Sequence, residues 1–189
     1  MLWLKFYTNQ DMRTLFAGLE EAFAFFGGVP RELLFDQMAS VITRDLRSQG
    51  GKLIENAEFL RFAAHWGFRV RACRPYRAKT KGKVERPIRY LRESFVYGRD
   101  FVSDEDLNTQ AEQWLTRTAN ARLHRTTGQK PAERFHTHEK MTLLTLAARR
   151  YHSLVLLPSS AGEAHVPLPK VEVERRSLRT YSRIAAGAR

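Results

Sequence analysis

Two carboxylates have the type and setting that could do chemistry. Asp36 closes a short apolar run, Glu32-Leu33-Leu34-Phe35-Asp36. Glu85 ends a basic, glycine-containing stretch that runs Cys73-Arg74-Pro75-Tyr76-Arg77-Ala78-Lys79-Thr80-Lys81-Gly82-Lys83-Val84-Glu85-Arg86. From Arg69 to Arg99 there are eleven Lys/Arg against Glu85 and Glu93, so +9 of the whole-chain +12 is concentrated here. A carboxylate kept amid such charge suits a site where oxygen ligands hold a divalent metal while cations hold phosphate. Taken singly, each acid also has a plainer reading. An Asp after a strand makes a turn or caps a helix, and Glu85 four residues before Arg89 makes a surface pair worth roughly 0.3 kcal/mol.

The elements that must position these acids are legible in order. Residues 1–7 alternate, with Trp3, Lys5 and Tyr7 on one face and Leu2, Leu4 and Phe6 on the other, as in a strand. Thr8-x-x-Asp11 reads as a capping box that starts a helix at about residue 9 or 10. Its apolar stripe is Met12, Leu15, Phe16, Leu19, Ala22, Phe23 and Phe26, it ends at Gly27-Gly28, and Pro30 prevents resumption. The run ending at Asp36 reads as a buried parallel strand, whose carboxyl end is where open α/β sheets place ligands. Residues 40–44 suggest another short strand, and Gln49-Gly50-Gly51-Lys52 a loop.

Asn56 caps a predicted helix that stops at Gly67, and residues 68–72 alternate as a strand with one basic face. A helix over about 81–97 carries Glu85, with Val84, Ile88, Leu91 and Phe95 as its buried stripe. Ser103-x-x-Asp106 starts another, with Leu107, Ala111, Trp114 and Leu115 inward. Asn120 to Phe135 reads as helix end, glycine turn and a short helix opened by Pro131. Beyond residue 139 short strands are expected over 152–157 and 166–173, followed by a tail from Arg175 with five Arg and no acid.

Bulk properties bound the class. The 189 residues suit one domain with an appendage, and 43% hydrophobic with 28% charged residues describes a globular protein. The single Cys73 excludes an intramolecular disulfide and fits a reducing compartment. Residues 1–7 lack the pattern of a signal peptide or a membrane span. A pI near 10.3 points to a polyanionic partner, nucleic acid first. His124, His136, His138 and Cys73 show no structural-zinc spacing.

Four pieces in order carry a resemblance: residues 22–30, Leu34-Phe35-Asp36, residues 75–86 and residues 120–135. Together they resemble the integrase-type catalytic core of DDE transposases, specifically the large transposase of the IS21 insertion-sequence family. The resemblance covers residues 1–136 well and 167–181 more loosely, which implies a partial catalytic core over 1–136 and a C-terminal extension with a basic tail over 137–189. The implied fold is α/β, an RNase H-like mixed sheet, with residues 1–8 matching its third strand. The first two strands, the first catalytic Asp and the upstream helix-turn-helix region are then unmatched.

The resemblance makes Asp36 the second acid and Glu85 the third, 49 positions apart. It implies two Mg²⁺ or Mn²⁺ ions and phosphoryl transfer that cleaves an element's DNA end and joins it to target DNA. Gln37 replaces the Asn usual after the second acid. Arg74, Arg77, Lys79, Lys81, Lys83, Arg86 and Arg89 would hold the DNA backbone. The implied partners are DNA, a helper AAA+ ATPase and further copies of the chain on DNA, in a bacterial cytoplasm at the nucleoid and with no membrane. With one acid unmatched, the expectation is a truncated, catalytically impaired copy. Two other readings fit the residues: a DNA-binding remnant without chemistry, and an RNase H-like nuclease that cuts without joining.

Overall fold

The computed structural model describes residues 1–36, 38–73 and 86–153. Helix α1 spans Met12–Phe26 and turns its apolar stripe inward, with Phe16 and Phe23 buried. Its cap is Asp11, whose carboxylate accepts from the Thr14 N–H at 2.7 Å, so the helix starts three residues later than Thr8 as cap would have it. Gly27 takes the left-handed conformation (φ 70°) that ends it. Gly28 allows a close approach: a Cβ there would lie 2.7 Å from the Leu143 side chain and 2.8 Å from the Leu144 carbonyl. Val29 and Leu144 exchange two main-chain hydrogen bonds at that crossing.

Strand β1 (Glu32–Phe35) pairs in parallel with β4 (Arg69–Ala72), Glu32 opposite Arg69 through Phe35 opposite Ala72. Between them lie an antiparallel hairpin, β2 (Ile42–Asp45) with β3 (Leu53–Glu55), and helix α2 (Ala57–Trp66). The Asn56 side chain caps α2 and Gly67 ends it, as its sequence predicts. Strand β3 was not expected, because three residues after a loop carry little pattern. The basic face of β4 is observed: Arg69 and Arg71 are exposed, and both pair with Glu32 at 3.4 and 3.0 Å. β1 itself is only half-covered, with Leu34 41% exposed, which corrects the expectation of a strand buried on both faces.

The core here is aromatic. Phe16 stacks on Phe62 with centroids 4.3 Å apart and planes 1° from parallel, and Phe23, Phe59, Trp66 and Phe68 close around them. Residues from the far end of this unit seal it: the Tyr151 hydroxyl donates to buried Glu58 at 2.8 Å, and the Tyr151 N–H donates to Glu20 at 2.8 Å.

A second cluster gathers Phe95, Ala111, Trp114, Leu115 and Ala119. It is built from α3 (residues 86–91, continuing through a π turn over Arg92–Val96) and α4 (Asp104–Trp114, continuing through another over Leu115–Ala119). Ser103 caps α4 as predicted. Phe95 is buried, but Ile88 is 45% exposed, correcting the predicted stripe. The cause is the π turn, whose bond from the Tyr97 N–H to the Arg92 carbonyl adds a residue to one turn and rotates the earlier face away. Short helix α5 (Pro131–Arg134) follows, with Pro131 in its first turn.

Residues 1–7 run extended but form no strand ladder among the described residues. Their alternation is real, since Leu2, Leu4 and Phe6 pack on the second cluster. Two side-chain amides take the place of a neighbouring strand. Asn120 accepts from the Leu2 N–H at 2.7 Å and donates to the Leu2 carbonyl at 2.8 Å, and Asn108 does the same for Phe6 at 2.8 and 3.1 Å. The strands expected over 152–157 and 166–173 and the tail from Arg175 lie outside the described residues, apart from His152 and Ser153, which are not in a strand.

Candidate active site

The parallel pairing of β1 with β4 fixes where Asp36 sits. The Cys73 N–H donates to the Phe35 carbonyl at 2.9 Å, so Asp36 and Cys73 leave the sheet side by side at its carboxyl end. Asp36 is exposed, and its carbonyl accepts from the Met38 N–H at 2.8 Å. Cys73 is buried and is the residue from which the basic stretch departs. Glu85, Arg74, Arg77, Lys79, Lys81, Lys83 and Gln37 lie outside the described residues. No group of three potential metal-ligating side chains occurs among the described residues.

A residue that sequence reasoning missed braces this end of the sheet. Arg47 clasps Asp45 with two hydrogen bonds, Nε to Oδ1 at 2.9 Å and Nη2 to Oδ2 at 2.8 Å. The same guanidinium donates to the carbonyls of Ala72 at 3.4 Å and Cys73 at 3.0 Å. The Asp45 side chain is 5% exposed, so the pair is largely withdrawn from water. It ties the β2–β3 hairpin to the exit of β4, close to Asp36 along the sheet. An Asp-x-Arg pair after a short strand carries no signal of that role.

Of the predicted DNA-facing cations, Arg86 and Arg89 are described and both are exposed. Arg89 pairs with Glu93 at 3.3 Å, one turn further on, rather than standing unpaired. Arg86 makes no ion pair among the described residues. It lines a cavity of about 340 Å³ with Pro87, Tyr90, Asn120, Arg122 and His124. There the Arg122 guanidinium lies 3.7 Å from the centre of the Tyr90 ring, and Tyr90 in turn packs on Trp114 at 5.5 Å. His124 Nδ1 is buried and has no hydrogen-bond partner among the described residues. The segment from Asn120 to Phe135 stood out in sequence, but nothing in it singled out Arg122, and His124 was weighed only as a zinc ligand.

The described residues thus define a mixed α/β protein with an acid at the carboxyl end of a parallel strand pair. No protein-family model matches the chain. It is 44% identical over 135 residues to the transposase named for insertion sequence element IS5376 of Geobacillus stearothermophilus, covering 71% of this chain and 33% of that protein. It is 41% identical over 128 residues to the transposase for insertion sequence element IS21 of Pseudomonas aeruginosa, covering 67% of this chain and 32% of that protein. With the transposase for IS640 of Shigella sonnei it shares 36% over 158 residues, covering 83% of this chain and 49% of that protein. The chain therefore spans between about a third and a half of the length of these relatives. Over the aligned stretch the chain is similar to IS21-type transposases. No helix among the described residues is long and apolar enough to cross a membrane.

Proposed function

We propose that this chain carries part of an RNase H-like transposase catalytic core and acts on DNA through divalent-metal-dependent phosphoryl transfer. The observation that carries the reading is the parallel register of β1 and β4, which sets Asp36 beside the residue where the basic stretch begins. Ligands in open α/β sheets gather at that end of the strands. The names of the relatives give the reaction, DNA transposition, which this chain shares on the proposal.

Asp36 offers exposed carboxylate oxygens, the donor type that Mg²⁺ or Mn²⁺ takes, so the residue fits such an ion. Asp36 and Glu85 would hold it. When bound, paired ions activate the attacking oxygen and stabilise the leaving one. The other work belongs to side chains. Arg74, Arg77, Lys79, Lys81, Lys83 and Arg86 hold the phosphate backbone, and Arg47 holds the carbonyl of Cys73, which precedes that stretch in sequence. The helper AAA+ ATPase, assembly of several copies on DNA and a place at the nucleoid belong to the same proposal.

Two acids are assigned within these residues where the family pattern uses three, so the purified chain is expected to cut and join DNA poorly. Robust Mg²⁺-dependent strand transfer, abolished by Glu85→Gln, would overturn that impairment. The metal reading is tested by calorimetric titration with Mn²⁺. Binding should be lost in Asp36→Asn and in Glu85→Gln. If both variants bind Mn²⁺ as the parent does, the metal assignment is wrong and a DNA-binding protein without chemistry is the better reading. Nicking without joining would favour a nuclease.

A further inference from the structure

The cavity between α3 and the turn at 120–131 is chemically specific. Arg86 and Arg122 both line it, and neither has a carboxylate partner among the described residues. Arg122 is held against the Tyr90 face at 3.7 Å, and Tyr90 is backed by Trp114 at 5.5 Å. A guanidinium fixed in this way is a charged, planar platform rather than a mobile surface cation.

The turn itself is firmly built. The His124 N–H donates to the Gln129 carbonyl at 3.0 Å, and the His124 carbonyl accepts from Thr127 and Gly128 at 3.1 and 2.8 Å. Gly128 adopts φ 63°, which suits glycine. Within this frame the imidazole helps line the cavity, while its Nδ1 is buried and has no hydrogen-bond partner among the described residues. Pro87, Pro131 and the Tyr90 edge supply apolar contact.

We propose that this cavity takes one unstacked nucleotide of single-stranded DNA. Its base lies on the Arg122–Tyr90 platform with its edge toward the His124 ring, and its phosphate meets Arg86. The inference rests on the DNA-handling reading above and adds a subsite to it. Flat faces and paired cations recognise any base with an adjacent phosphate, so the site is selective for unpaired strands rather than for sequence. A duplex, with its bases stacked, satisfies only the phosphate contact.

Fluorescence anisotropy on the full chain tests this with a blunt duplex and with the same duplex carrying a short 3′ overhang. The overhang is expected to bind about tenfold more tightly than the blunt end, and to lose that advantage when its nucleotides are abasic. Arg122→Ala and Arg122→Lys should both abolish the preference, and His124→Ala should reduce it. In these variants blunt affinity, set by phosphate contacts elsewhere, changes by no more than about twofold. Arg122 is exposed, and a thermal melt of each variant verifies folding. A preference that survives Arg122→Ala, or a parallel fall in blunt and overhang affinity, overturns the subsite. Blunt binding without any overhang preference in the parent chain overturns the subsite alone. Failure of the parent to bind either DNA overturns the DNA-handling reading as well.

Discussion

Arg47 donates from Nη2 to the Cys73 carbonyl at 3.0 Å, joining a hairpin to the end of a strand 26 residues further along. The contact is made with a guanidinium already clasped by buried Asp45, so its direction is fixed. Arg47→Ala would take the guanidinium from a carboxylate that is 5% exposed, lowering stability by about 3 kcal/mol in urea unfolding. The double variant Arg47→Met with Asp45→Leu should recover most of that loss, because the pair's own net contribution is small. Equal destabilisation in the single and double variants would contradict this.

Glu58 sets an acid limit. Burial by itself would raise its carboxyl, but hydrogen bonds from Ser153, Tyr151 and Arg61 outweigh burial and hold it below the ordinary glutamate value. A depressed folded value stabilises at pH above the unfolded value of about 4.3, and that contribution is lost as pH falls through the folded value. Tyr151→Phe keeps the ring contacts to Phe16 and Phe62 but removes one of these bonds. It should cost about 1 kcal/mol at neutral pH and reduce the stability lost on acidification, because the folded value rises toward the unfolded one. Thermal melts between neutral and acidic pH measure both effects, and a difference from the parent that is the same at acidic as at neutral pH would refute the second.

The two asparagines that hold residues 1–7 can be separated by hydrogen exchange. Asn120→Ala should remove protection from the Leu2 amide while leaving that of Phe6, which Asn108 holds. Two partly buried hydrogen bonds are lost, for about 2 kcal/mol. Asn108→Ala should show the reverse pattern. Loss of protection at both amides in either variant would mean that the stretch detaches as one unit.

On the proposed DNA-binding reading, paired and unpaired cations differ in salt dependence. Arg89 already faces Glu93, so Arg89→Gln should leave the slope of log affinity against log salt almost unchanged. Arg86→Gln, which removes a cation without such a partner, should reduce that slope by about 0.9. Equal slopes for the two variants would show that the Glu93 pair is broken on DNA.

What could be read in the sequence was local. Asn56 and Ser103 announce helix starts because a cap is a contact within three residues, whereas Thr8 and Asp11 both fit the cap of α1 and the sequence pointed to the wrong one. The stripe of α1 has only to repeat in order to be seen. The exposure of Ile88 was hidden by a π turn that periodicity cannot anticipate. Residues 1–7 read as a strand, but a ladder is a property of two segments, and here Asn108 and Asn120 stand in for the second. Asp36 was legible as a strand-end acid. Arg47, Arg122 and His124 were not, because their roles depend on neighbours brought near by the fold: Cys73 for the first, Tyr90 and the turn at Gln129 for the others.

The amide clasps at Leu2 and Phe6 also bear on how the chain is made. Their partners lie 118 and 102 positions downstream. During ribosomal synthesis the Leu2 and Phe6 amides therefore emerge well before these partners, whereas Lys5 and Tyr7 meet Glu21 of α1 much sooner. The two amide clasps close only after α4 and the turn beyond it have left the exit tunnel. Closing loops of that length costs entropy before any contact offsets it.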